Sequence, residues 1–326
     1  MYLVDLVEGQ EFELPIFVVS VIEKTTKSGK NYITGEVRDK STVLKYNLWD
    51  AKNPSISIPK QGEYALISGR LEVFNNTYQI NLRTVKSLDA ESINPDDFKK
   101  TIILDIDELW KEFESIVATF TDDLIIFLCE NILTESFVEK FKTSPAAKDV
   151  HSACVGGLLE HSVAVAKLSD MVVNHYNKLY FNNKINRDIT VFSSLFHDLG
   201  KIWEYDYTTP NIEITMHGEL LGHIYLGAKK IGDIAQLYRK HKPDVDLLEL
   251  NEKINRILHV ILAHHGKGEW GAPVTPKTPE AIIIHYVDNI DAKLMNVWEN
   301  LMNCQDYFTQ RNFIHENARL FNILKD

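Results

Sequence analysis

Apolar and polar positions change rhythm along this chain. Through residues 12–82 the apolar positions come in short runs or alternate with polar ones, the period of β-strands. Residues 16–22 are β-rich and near-continuously apolar, 31–38 alternate, and 43–49, 64–74 and 78–82 complete the set. Lys27-Ser28-Gly29-Lys30 and Asp39-Lys40-Ser41 read as turns, Pro54 and Pro59 mark a loop, and Asn75-Asn76 is a hairpin signal. Five short strands with such turns predict a small barrel.

Residues 88–97 are polar, contain Pro95 and have no long period, so they read as a linker. Helical periods follow over 106–120, 122–133 and 135–141, with Thr121-Asp122-Asp123 as a helix start. Helical patterns then continue almost without strands. The expected division is a barrel domain over 1–88, a linker with connecting helices over 89–145, and a second, all-α domain over 146–326. The fold class is multidomain, α and β.

Composition narrows this picture without changing it. The 326 residues are 44% hydrophobic and 25% charged, enough to fill two cores. Cys129, Cys154 and Cys304 lie far apart with no CxxC pair, which fits reduced thiols in a cytoplasmic setting. The acidic start (Asp5, Glu8, Glu11, Glu13) does not suit a secretory leader, and no apolar run reaches a membrane span of about 18 residues. Net charge is −11, which argues against a simple polyanion binder. Residues 1–90 are balanced at 11 charges of each sign, so the acidic excess lies entirely beyond them. The first part is therefore the better place for a nucleic-acid strand, and the second is an acidic body suited to cations.

The chemistry centres on Leu195-Phe196-His197-Asp198-Leu199-Gly200-Lys201. Val191, Phe192, Leu195, Phe196 and Leu199 form an apolar helical stripe, so the His-Asp pair enters the interior, where Gly200 lets the helix end. Buried carboxylates need a partner or a metal, and an adjacent nitrogen and oxygen donor suit Mn, Fe, Mg or Zn. A His-Asp pair alone is also a plain helix-end histidine with a capping aspartate. The set is larger, however. His161, His223 and the His264-His265 pair also lie in or end apolar helical runs, and Asp288 lies in a mostly apolar helix. Adjacent helical residues point about 100° apart, so both His264 and His265 reach one site only if their helix ends near Gly266. His175, His217, His241, His259, His285 and His315 receive no role.

The order His161…His197-Asp198…His223…His264-His265…Asp288 resembles the HD-domain superfamily of metal-dependent phosphohydrolases, over roughly residues 145–300. The resemblance implies a first ion held by His161, His197 and Asp288, a second by His223 with His264, His265 or both, and Asp198 bridging them. Two divalent ions would be the cofactors, Mn²⁺ favoured over Mg²⁺, Co²⁺, Fe²⁺ or Ni²⁺, and they would activate a water as nucleophile. Lys201 matches a lysine that touches the phosphate in related enzymes, and His151 and Asp291 are candidates for a supporting shell.

Residues 10–88 resemble OB-folds of the anticodon-binding type through Lys27-Ser28-Gly29-Lys30-Asn31-Tyr32, Asn47-Leu48-Trp49-Asp50, Gly69-Arg70-Leu71 and Tyr78-Gln79-Ile80. This implies a groove for single strands, with Tyr32, Trp49, Phe74 and Tyr78 to stack on bases and Lys27, Lys30, Lys45 and Arg70 to meet phosphates. The same aromatics also suit a barrel core. The two parts in this order resemble the YhaM-like 3′→5′ exoribonuclease family, and Gly156-Gly157-Leu158-Leu159-Glu160-His161 and Ala263-His264-His265-Gly266 belong to that likeness. It implies hydrolysis of single-stranded RNA, or DNA, from the 3′ end. Arg38-Asp39-Lys40-Ser41-Thr42 departs from the tight Asp-Gly-like turn that the family commonly has. The alternative expectation is a phosphohydrolase of small nucleotides with an accessory barrel. Neither expects a membrane partner, and both admit a homo-oligomer.

Overall fold

The computed structural model describes residues 1–49, 58–74, 77–148, 153–302 and 304–325. The chain forms two compact units, one of Met1–Thr101, Tyr207–Ile212 and Val297–Asp326, the other of Ile102–Asp206 and Glu213–Asn296.

In the first unit, β1 (Glu11–Thr25), β2 (Asn31–Arg38), β3 (Val43–Leu48), β4 (Tyr64–Phe74) and β5 (Thr77–Ser87) close a barrel in the order β1-β2-β3-β5-β4. Among the described residues only the β3–β5 pair is parallel, and it closes the sheet. This is an OB-fold. The alternation that predicted the strands also sorts their faces. Leu44, Tyr46 and Leu48 of β3 are buried with Ile80 and Leu82 of β5, whereas Lys45 is exposed on the outside.

Two features behave differently from their local sequence. Asp39 is buried, and its carboxylate accepts from the backbone N–H of Leu3 (2.6 Å) and Ser41 (2.8 Å) and from the Ser41 hydroxyl (2.6 Å). It organises the turn after β2 from its own side chain, where a glycine would rely on backbone freedom. The polar linker is also partly docked. Asp89 and Asn94 cap short 3₁₀ turns, and Phe98 packs edge-on against Tyr64, 5.0 Å between rings. The turn expected at Asn75-Asn76 lies outside the described residues. A hairpin of Phe308–Asn312 with Ala318–Phe321 completes this unit and adds strands to a region that reads as helical.

The second unit is helical: α1 (Ile106–Val117), α2 (Asp123–Ile132), α3 (Glu135–Thr143), α4 (Gly157–Tyr176), α5 (Arg187–Phe196), α6 (Lys201–Glu204), α7 (Met216–His241), α8 (Leu247–Ala263) and α9 (Pro279–Met302), the last through Asn296. Asp105, Asp122, Asn186 and Asp246 cap α1, α2, α5 and α8 by accepting first-turn N–H groups. A hairpin of Tyr205–Asp206 with Glu213–Ile214 joins α6 to α7. Helix α5 is buried on every side from Asp188 to Phe196, and Phe196 meets Phe113 (5.8 Å, T-shaped) and Phe192 (4.9 Å). Each such side chain contributes about 1.5–3 kcal/mol by burial. The packing drives the end of α5 into the interior and takes His197 and Asp198 with it. Among the described residues no helix is long and apolar enough to cross a membrane.

Candidate metal centre

His197 and Asp198 follow the last residue of α5 and are 0% and 2% exposed. Five other side chains converge on them from four elements. His161 comes from α4, His223 from α7, His264 and His265 from the end of α8, and Asp288 from α9.

The ligand atoms fall into two groups. His161, His197 and Asp288 form one, and Asp198, His223, His264 and His265 form the other, with one ligand atom per residue and all atoms of a group within 4.8 Å of one another. Asp198 stands between them. Its Oδ2 lies 3.4 Å from His197 Nε2 and 3.8 Å from His161 Nε2. Its Oδ1 lies 3.4 Å from His223 Nε2 and 3.5 Å from His264 Nε2. In the first group Asp288 Oδ1 is 3.2 Å from His161 Nε2 and 4.0 Å from His197 Nε2. Lys201 Nζ reaches Asp198 Oδ2 at 2.6 Å.

The other ring nitrogen of each histidine is engaged behind the site. His197 Nδ1 bonds Ser194 O (2.8 Å), His264 Nδ1 bonds Ile261 O (2.7 Å), and His265 Nδ1 bonds Trp270 O (2.7 Å). A carbonyl can only accept, so these Nδ1 atoms carry hydrogen. His161 Nδ1 meets Asp291 Oδ2 at 2.7 Å, and His223 Nδ1 meets the Glu204 carboxylate at 2.9 and 3.1 Å. The neutral tautomer these partners select presents the Nε2 lone pair inward, the arrangement metal-binding histidines adopt. Asp198 Oδ1, His223 Nε2 and His264 Nε2 are buried and have no hydrogen-bond partner. Each would cost about 1–3 kcal/mol if left so. One divalent cation among them would satisfy all three, so these residues fit a metal. The two groups are two candidate metal-binding clusters.

The electrostatics set His264 and His265, held neutral, apart from His161, which must give up a proton before its Nε2 can bind an ion. Burial pushes His264 down to about 4, which keeps it neutral. Burial also lowers His265, helped by the neighbouring His223. Burial opposes charge on His161, but Asp288 and Asp291 outweigh it and lift the ring to about 10. Burial likewise opposes charge on Asp198, yet Lys201 and His197 hold it well below the ordinary carboxylate range. Asp288 is lowered against burial by His161.

Backbone breaks aim these groups. Helix α8 stops at Ala263, so His264 and His265 stand beyond its last turn and both enter the second group. Gly266 follows at φ +77°, and His285 bonds the His264 carbonyl through Nδ1 at 2.8 Å. Gly200 has an ordinary helical φ of −64°. Its contribution is closeness to α7 and not the helix stop its sequence suggests.

A cleft of about 290 Å³ opens onto the centre, lined by His161, Asp198, Lys201, His223, His265 and Asp288 with Ala146, Ala147, Ala292 and Tyr205. Glu204 and His285 support ligands here although nothing in their local pattern announces it. Each looks like an ordinary polar position in a helix. His151 lies outside the described residues.

On the barrel, Tyr32 and Trp49 stack on each other, 4.6 Å between rings at 25°. Trp49 and Arg70 line a cleft of about 420 Å³ with Glu72, Asn81 and Arg83. Lys45 is exposed on the outer side of β3, Phe74 is exposed at the end of β4, and Lys27 and Lys30 are exposed in the turn before β2. Tyr78 shares the inward parity of Ile80 and Leu82 and packs against the barrel core. Arg83 is an additional cation that the sequence did not single out.

Comparison with known proteins bears on the helical part and on the chain as a whole. The protein-family model for the HD domain matches residues 158–293. The 3′-5′ exoribonuclease YhaM of Bacillus pumilus is 28% identical over 316 residues, covering 96% of this chain and 95% of that one. The YhaM protein of Bacillus subtilis is 27% identical with the same coverage, and that of Listeria monocytogenes serotype 4b is 26% identical, covering 98% and 97%.

Proposed function

We propose, from the premise that this chain belongs to the YhaM-like family in which an OB-fold precedes an HD domain, that it is a metal-dependent 3′→5′ exonuclease of single-stranded RNA or DNA. The observation that carries this reading is Asp198, whose two oxygens face two separate groups of ligand atoms.

His161, His197 and Asp288 would hold one ion, and His223, His264 and His265 the other, with Asp198 shared. When bound, two divalent ions supply a water of lowered pKa and neutralise charge on the phosphodiester. The remaining roles belong to the protein. Lys201 stands in the cleft beside Asp198, where its ammonium can meet a phosphate oxygen of the substrate. Asp291 holds the His161 ring in place through Nδ1. The wall of Ala146, Ala147 and Ala292 leaves room for the terminal nucleotide. On the barrel, Trp49, Tyr32 and Phe74 would receive bases, and Lys27, Lys30, Lys45 and Arg70 phosphates. Strand binding is assigned to the barrel within residues 1–88 and chemistry to the ligand-bearing segments within 146–326; of the connecting stretch 89–145, α1–α3 pack into the helical unit, and Val297–Asp326 belongs to the first unit. Mn²⁺ is the favoured ion and the cytoplasm the favoured compartment, and assembly into homo-oligomers is compatible with the reading. The test is release of nucleoside 5′-monophosphates from single strands with Mn²⁺, and its loss on chelation.

A further inference from the structure

Helix α7 is interrupted at its seventh residue. Gly222 has φ +69° and ψ 155°, outside the helical region, and the helix resumes at once with His223. Nothing lies within 4 Å of where a Cβ on Gly222 would stand, so the glycine answers to the backbone conformation and not to crowding at its own Cα. A continuous helix would send the His223 N–H back to the carbonyl four residues earlier. Here that N–H goes to Glu204 Oε1 at 3.0 Å. The same carboxylate meets His223 Nδ1 at 2.9 and 3.1 Å. Glu204 is itself only 9% exposed, and its own carbonyl accepts from Thr215 N (2.8 Å) at the start of α7. A carboxylate thus sits at the N-terminus of the helical segment that begins with His223, where unpaired N–H groups and the helix dipole favour a negative charge.

We infer that Glu204 and the break at Gly222 together build the second ion site, by holding His223 out of the continuous helix with its Nε2 facing Asp198. The inference rests on the two-ion reading above. Glu204 is a positioning residue, because it lies outside both groups of ligand atoms and acts through His223. The break and the carboxylate depend on each other. Without Glu204 the His223 N–H has no partner at the break, and the nearest repair is to close α7 into one helix. That repair rotates His223 away from Asp198 and leaves His161, His197 and Asp288 untouched.

The test counts Mn²⁺ retained by the metal-free, full-length chain on titration, with far-UV circular dichroism alongside. Wild type should hold two ions. In Glu204→Gln the amide oxygen can still take the His223 N–H and stays 3.1 Å from Nδ1, but the carboxylate charge is gone and the NH₂ in place of Oε2 sets donor against donor at the shorter 2.9 Å contact. The second ion should bind about 10–100-fold more weakly while the first stays near its wild-type affinity. Gly222→Ala has room for its methyl but not the left-handed backbone, so it should lose the same ion with helix content unchanged or higher. Asp291→Asn, which loosens His161, should weaken the other ion, and its combination with Glu204→Gln should weaken both. Two ions held at wild-type affinity in both Glu204→Gln and Gly222→Ala would overturn the inference. So would loss of both ions together in either variant. Wild type holding fewer than two ions would overturn the two-ion reading and this inference with it.

Discussion

Gly200 lies so close to His223 that a Cβ on it would stand 2.0 Å from the His223 carbonyl oxygen and 2.9 Å from Gly227 N. The turn that carries His197 and Asp198 therefore touches the backbone of the helix that carries His223. Neither partner is a flexible side-chain tip, so neither can yield cheaply. Gly200→Ala should destabilise the fold by about 1–3 kcal/mol, the usual cost of overpacking. It should also separate Asp198 from His223. A denaturant midpoint and a Mn²⁺ count check both, and an unchanged midpoint would show that the turn and α7 can move apart freely.

His161 and His264 differ in what an arriving ion must displace. In the metal-free chain His161 keeps its proton to about pH 10, held by Asp288 and Asp291 against burial. His264 is already neutral above about pH 4, because burial penalises its charge. Filling the site that His161 lines at pH 7.5 should therefore expel at least one proton, the one held by His161. Since ion and proton compete, affinity for the ion bound by His161 should rise with pH until about 10 and then level. Calorimetry of Mn²⁺ binding in two buffers of different ionisation enthalpy measures the proton count. A count near zero would contradict the pairing of His161 with both carboxylates.

Trp49 and Tyr78 are both candidates for base stacking, but they occupy different environments. Trp49 is 39% exposed and stacks on Tyr32, whereas Tyr78 packs on the barrel core. Trp49→Ala should weaken single-strand binding by about 1–3 kcal/mol, the worth of one stacked base, with little loss of stability. Tyr78→Ala should act mainly on stability. Fluorescence anisotropy with a labelled oligonucleotide, beside thermal melts, separates the two. Equal losses of affinity would show that Tyr78 also reaches the strand.

The parts of this structure that could be read from the chain are those where one residue type meets one physical demand. The barrel strands declare themselves because alternation at Leu44, Tyr46 and Leu48 has no other use than to face a core. The ligands declare themselves because His197, Asp198 and Asp288 are polar groups in apolar runs, where only a partner or a cation makes them tolerable. Other features were hidden because their demand is set by distant backbone. Glu204 ends a four-residue helix whose pattern is that of any amphipathic turn, and its burial comes from α7. Gly222 sits among helix formers, and only the Glu204 carboxylate marks it as a break. The Phe308–Asn312 strand has too many polar residues to show an alternating core face. Tyr78 was ambiguous because an aromatic on a barrel strand serves core or groove according to parity, and the register with β4 decides it.

Cleavage of single strands from the 3′ end at the Asp198 centre is measured by a time course on a 5′-labelled single-stranded RNA with Mn²⁺. Wild type is compared with the His197→Ala/Asp198→Ala double variant, and a cyclic dinucleotide and a nucleoside triphosphate serve as competing substrates. Wild type should form a ladder of RNA shortened from its 3′ end, and the variant should form none. Intact RNA beside a consumed small nucleotide would contradict 3′-end cleavage, and would make the barrel an accessory to a small-nucleotide phosphohydrolase.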